Sequence, residues 1–267
     1  MLNIYKRLWL TNWAEQWQYR ANLLMYLLYW LVSPVIYMSV WITIAKSSAQ
    51  GAVSGLTAND FVTYYMVLLI VDQLTSEITI HILAWKIQDG TLSGDLLRPI
   101  HPILTQTLVN NLAFKALTFM VLIPVWIVLF LLFRPDFSGV TWGSLLLGIP
   151  GILIGFGISF LLGAVLTLIA FWTTRVYALN EFFYAFVVLF SGQFVPLQLM
   201  PDVIQKISPF LPFQMYRYVP IETILNRMPL DVVLRNYAAG LVWLALCTVL
   251  FVWVWKEGVK RFSAVGA

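Results

Sequence analysis

Between Asp136 and Arg175 the chain runs 38 residues without a charge, FSGVTWGSLLLGIPGILIGFGISFLLGAVLTLIAFWTT over 137–174. About 20 mostly apolar residues suffice for a helix to cross a ~30 Å hydrocarbon layer, so this stretch reads as a membrane span. The same reading extends outward in both directions. Arg20 to Lys46 encloses 25 uncharged residues, Lys115 to Arg134 encloses 18, and Glu181 to Asp202 and Arg235 to Lys256 enclose 20 each. These runs are continuous and do not alternate in polarity, which argues against a transmembrane strand barrel. Five spans follow, at 22–45, 115–133, 143–171, 179–196 and 237–255. A sixth, 60–83, carries Asp72, Glu77 and His81, but its part from Phe61 to Val71 is uniformly apolar. Counting it gives an even number, so the expected fold is an all-α integral membrane protein with six transmembrane helices.

Composition agrees. Hydrophobic residues make up 61% of the 267-residue chain and charged ones 10%, where a soluble domain carries roughly a quarter charged residues. That argues against a soluble enzyme, and the hydrophobicity argues against a disordered chain. A single cysteine, Cys247, excludes an intrachain disulfide framework and a thiolate metal cluster. The net charge of +4 comes from scattered basic residues, which fit topology signals beside a bilayer better than a nucleic-acid stripe. With six spans both termini share a side. Termini in the cytoplasm put ten basic residues inside (Lys6, Arg7, Arg20, Lys86, Arg98, Lys115, Arg175, Lys256, Lys260 and Arg261) and six outside (Lys46, Arg134, Lys206, Arg217, Arg227 and Arg235). The excess of basic residues on the inner side favours that orientation.

Four features go beyond spans. Residues 1–20 lack a signal-peptide core; Tyr5, Trp9, Trp13 and Trp17 recur every four residues, which reads as an interfacial helix or as a plain lead-in to the first span. Residues 84–100 form a short amphipathic piece broken at Gly90 and Gly94 and closed by Arg98-Pro99, with Leu92, Leu96 and Ile100 on one face. Such a piece either docks into a cleft on a soluble partner or lies against the membrane as a connector. Residues 197–235, together with the Ser191–Pro196 opening, contain six prolines and much apolar-aromatic character. They read as an outer re-entrant helical hairpin or as a cap above the lipid. In the fourth span Gly151 and Gly155 make a small-xxx-small pair suited to close packing, though glycine is common in membrane helices.

The second span raises a separate question. Gln73, Glu77 and His81 repeat every four residues, with Asp72 beside them. Ionisable groups at such depth often line a pathway or proton relay; alternatively Glu77 and His81 sit near headgroups and pair with Lys86 or Arg175. No P-loop, HExxH pair or GxSxG elbow is present, so no residue is nominated as catalytic, metal-binding or cofactor-binding.

The order of these pieces resembles the type-2 ATP-binding-cassette exporter permeases. Ile87-Gln88-Asp89-Gly90-Thr91-Leu92 followed by Leu96-Leu97-Arg98-Pro99-Ile100 is similar to that family's coupling segment. Ser191-Gly192 with Pro196, Met200-Pro201 and Ile207-Ser208-Pro209 is similar to its outer signature, and Glu257 to Gly266 to its closing tail. The resemblance implies one permease half of a transmembrane dimer, with the second subunit the same chain or a paralogue. It implies a cytoplasmic ATPase dimer that binds ATP and Mg, and a location in the cell (inner) membrane among lipid. Ile87, Gln88, Asp89, Gly90, Leu92, Leu96, Leu97 and Arg98 would then couple to the ATPase. The first, second and fifth spans would line the path, bringing Asp72, Gln73 and Glu77 into the translocation route of an amphipathic or lipid-like substrate. Two other functions stay open: a proton-coupled secondary transporter using Asp72, Glu77 and His81, and a non-transporting membrane assembly subunit. The first is weakened by the lack of an inverted repeat.

Overall fold

The computed structural model of the chain describes residues 7, 9–11, 13, 14, 17, 18, 20–77 and 80–262. Most of the expected interfacial helix over 1–20, the tail from Ser263 onward and the side chain of His81 lie outside the described residues. The chain is an all-α membrane protein, 80% helical. Among the described residues the strands are confined to a hairpin of two-residue strands, β1 (Ala52–Val53) with β2 (Leu56–Thr57), turning through Ser54 and Gly55 at positive φ.

Among the described residues four helices are long and apolar enough to cross a membrane: α1 (Arg20–Ser47), α5 (Val109–Phe133), α6 (Trp142–Leu168) and α10 (Leu230–Arg261). The order is completed by α2 (Ala58–Thr75), α3 (Ile80–Gln88), α4 (Leu92–Leu96), α7 (Val176–Phe190), α8 (Asp202–Ile207) and α9 (Tyr218–Ile224). Short 3-10 turns connect them, and a π-helical turn at Ile103–Leu108 leads into α5. At α2 the start is a capping box in which Thr57 and Asp60 exchange backbone bonds; Thr141 and Ser144 do the same for α6. α5 ends where Arg134 turns left-handed just before Pro135.

α6 is the central post, with nearly half of its apolar stretch buried against under a fifth for the other long helices. Its glycines explain why. A Cβ on Gly155 would sit 2.2 Å from the Met215 carbonyl oxygen, on Gly148 2.4 Å from Ile224, and on Gly151 2.7 Å from the Tyr237 hydroxyl. Each glycine therefore lets another element approach α6 at backbone distance. The neighbours so admitted are the 212–216 turn, α9 and α10.

Two departures from the sequence reading matter for function. Stretch 60–83 is not one helix: α2 ends at Thr75, Ser76 is extended, and a new helix starts at Ile80. And α5 begins at Val109, so Lys115 lies inside a helix, buried, and is not a boundary charge at the headgroups.

Candidate functional site

The buried polar core is built around the end of α2. Asp72 Oδ1 accepts from Arg217 Nε and pairs with Nη2, both at 2.5 Å, while Arg217 Nη1 donates to Ser191 Oγ at 3.1 Å. Asp72 and Arg217 are both buried. One ion pair thus ties α2 to the break after α7 and to the turn before α9. One and four residues after Asp72, the carbonyls of Gln73 and Ser76 each accept from Lys115 Nζ at 2.6 Å. The last carbonyls of a helix have no partner within it and carry the negative end of its dipole. Lys115 supplies from α5 the cap that α2 lacks, and this is the physical reason the helix can stop there. The Gln73 side-chain amide donates to Thr118 Oγ1 on the same helix.

The nonhelical backbone after α7 is satisfied by side chains of two other helices. Tyr64 Oη donates to the Gly192 carbonyl at 2.8 Å, Tyr65 Oη to the Phe194 carbonyl at 2.5 Å, and Trp41 Nε1 to the same carbonyl at 3.1 Å. Gly192 needs its freedom here: φ is +83°, and a Cβ would lie 2.7 Å from the Tyr64 hydroxyl.

Below this core lies a cavity of about 240 Å³. Its wall takes Tyr26 from α1, Thr75 from the end of α2 and Ser76 just after it, Ser159 and Leu166 from α6, and Asn180, Phe183, Tyr184 and Val187 from α7. Glu77, Tyr216 and Arg217 close it. Asp72 and Gln73 do not line it. The cavity joins the first, second and fifth expected spans, and adds the fourth. Glu77 packs its carboxyl against Gly163, where a Cβ would stand 3.0 Å from Oε2.

At the other end of α2, Arg227 Nη2 pairs with Asp60 Oδ1 at 2.6 Å. Glu222 is buried beside them, and burial raises its carboxyl to about 7, against the pull of Arg227. Asp136 is held below the usual carboxylate range by the backbone N–H of Ser138.

Residues 85–100 fold as a clasp. Gly90 turns at φ +76° between α3 and α4, and the buried Asp95 carboxylate is gripped by Lys86 Nζ at 2.7 Å and Arg98 Nη1 at 3.2 Å. Lys86 therefore has its partner in Asp95, not in Glu77. The structure divides the expected coupling residues into two groups. Leu92, 0% exposed, packs with Leu83, Ala84, Ile87 and Ile103, and Gly90 is buried too. Leu97 is 89% exposed, with Asp89 and Arg98 exposed beside it and Gln88 and Leu96 half-buried. The apolar face of α4 thus meets the chain's own core, and the tip around Leu97 is left exposed. His101 follows, its ring 4.3 Å from that of Trp255; burial lowers its pKa.

Sequence reasoning missed Arg217, Lys115, Lys86 and Asp95. A lone arginine within the apolar run LPFQMYRYVP was the available sign that Asp72 had a buried counter-charge.

No curated protein matches this chain. The sequence profile described as ABC-2 family transporter protein matches residues 31–266. Together with the long apolar helices, that match makes the chain a member of the ABC-2 family: a multi-pass membrane permease, the transmembrane component of an ABC transporter that partners an ATP-binding subunit.

Proposed function

We propose that this chain is one half of a transmembrane dimer that exports an amphipathic or lipid-like substrate, driven by ATP bound with Mg on two separate cytoplasmic subunits. The exposed tip at Leu97, braced by the Lys86–Asp95–Arg98 clasp, carries this reading. α3 runs from the helix break to the turn at Gly90, so movement of a partner bound at this tip can pass along it to the polar core and the cavity. The permease supplies no chemistry. Its part is two packings that differ by a few kcal/mol and are biased by ATP binding elsewhere.

Six crossings fit the helix lengths. α2, with 18 residues, rises about 27 Å and α7, with 15, about 22 Å. Those lengths approach a ~30 Å hydrocarbon layer. The re-entrant reading of 197–235 is supported by the side chains that satisfy the Gly192 and Phe194 carbonyls, since irregular backbone at depth needs such partners. Cytoplasmic termini in a cell (inner) membrane are supported by the charge bias. With Lys115 and Arg217 buried in the core, nine basic residues stand inside against five outside. The proton-driven reading has no comparable support: the helix break interrupts the Gln73–Glu77–His81 repeat, and Asp72 is tied to Arg217.

The test is reconstitution in liposomes, with and without the ATP-binding partner. Movement of a fluorescent lipid that requires both the partner and ATP is expected. Movement of the same lipid under a pH gradient, by this chain alone and without nucleotide, overturns the proposal.

A further inference from the structure

The cavity beside the α2 break has features that the packing of the fold does not require. Tyr216 is 4% exposed and lines it, yet its hydroxyl finds no hydrogen-bond partner among the described residues. The buried Ser76 hydroxyl, on the same wall, is likewise without one. A buried hydroxyl left unpaired costs stability, so two of them at one small cavity whose lining is otherwise largely apolar, with Leu166, Phe183 and Val187, point to a ligand that completes their bonds. Ser159, Asn180 and Tyr184 add further donors and acceptors around the same space.

The charges say what kind of ligand fits. The charged groups that line the site are one cation, Arg217, and one carboxylate, Glu77, so the formal charge of its lining is zero; Asp72 and Lys115 stand behind that lining. Arg217 is taken up by Asp72 and Ser191, and Lys115 by two backbone carbonyls. Neither is free to receive an anion, and an ammonium group in the cavity would face the Arg217 guanidinium on its wall. At about 240 Å³ the space equals roughly eight waters' share of liquid volume. That accommodates a head group but not the chain attached to it.

We infer that this cavity, formed within a single copy of the chain, binds the uncharged, hydroxyl-bearing head group of an amphiphile, with the Tyr216 and Ser76 hydroxyls as its hydrogen-bond partners. The assignment rests on the export reading above only for its role in transport; binding is tested separately.

The probe is a ten-carbon monoacylglycerol carrying a photoactivatable diazirine, added to the full permease–ATPase complex in lipid nanodiscs. Labelling of peptides containing Asn180 to Tyr184 is expected, with displacement by unlabelled monodecanoylglycerol. Decyl phosphate and decyltrimethylammonium are expected to displace it at least about tenfold less well. Tyr216→Phe removes a hydroxyl that has no partner among the described residues, so melting should stay the same or rise while probe affinity falls about three- to tenfold, the loss of one hydrogen bond. Ser76→Ala should act in the same direction. Equal displacement by either charged amphiphile, or unchanged affinity in both variants, overturns the inference. If Tyr216→Phe loses affinity but ATP-driven movement of the probe stays at the wild-type rate, the head-group site stands and the cavity is not on the export path.

Discussion

Replacing Arg217 by Met leaves the Asp72 carboxylate buried with no counter-charge and removes the donor to Ser191. Breaking a buried pair from one side costs about 3–5 kcal/mol. Total stabilities are commonly 5–15 kcal/mol, so Arg217→Met should bring the chain near the limit of folding. Asp72→Asn should cost a similar amount, because the guanidinium is then the uncompensated group. The double variant Asp72→Asn/Arg217→Gln removes both charges and keeps an amide–amide bond. It should recover at least about 2 kcal/mol relative to the sum of the single changes, as expected for residues in direct contact. Denaturant unfolding of the purified chain in micelles, followed by the fluorescence of its 12 tryptophans, measures all four members of the cycle. Single variants that lose less than about 1 kcal/mol, or a double variant no better than the additive sum, would refute the claim that this pair ties α2 to the outer segment.

Three further outcomes are expected. Leu97→Glu should leave the melting temperature unchanged and weaken association with the ATP-binding subunit, whereas Leu92→Glu puts a charge into a fully buried site and should lower expression and stability first; co-purification and melting on the same samples separate the two. Lys115→Met removes the cap on the Gln73 and Ser76 carbonyls and should speed amide exchange in the last turn of α2 by tenfold or more, read by hydrogen–deuterium exchange. Glu222 is raised in the folded chain to about 7 from an ordinary 4.5, so the fold holds the extra proton between those values and stability falls as pH rises through that window, by at most about 3 kcal/mol. Glu222→Gln should flatten the dependence of melting on pH between 5 and 8.

The apolar runs were legible because the absence of charge over 18 to 38 residues has one main physical meaning. The capping boxes at Thr57 and Thr141, and the short helices of the 197–235 segment, also have local signatures. The polar core did not. Lys115 flanks an apolar run and Arg217 sits within one, and a lone cation at either place also reads as a headgroup anchor. Their burial depends on partners 42 and 145 residues away in sequence. The break after Thr75 carries no proline or glycine; it exists because a side chain from α5 stabilises it. Amphipathicity in residues 84–100 said that one face is covered, but not by what. The cover turned out to be Leu83, Ile87 and Ile103 of the same chain, which leaves Leu97 as the exposed apolar residue beside α4. The family resemblance located the segment, and the structure identified its exposed residues.

The central claim is that the tip at Leu97 faces the cytoplasm and is held by the ATP-binding subunit. The direct measurement is thiol crosslinking from Leu97→Cys in a chain whose only other cysteine, the buried Cys247, has been changed to serine, co-expressed with that subunit. A crosslink to the ATP-binding subunit whose yield changes with ATP is predicted, with none from Leu246→Cys, an exposed position on α10. Reaction of the Leu97→Cys thiol in intact cells with a membrane-impermeant maleimide, and no crosslink to the subunit, would contradict it.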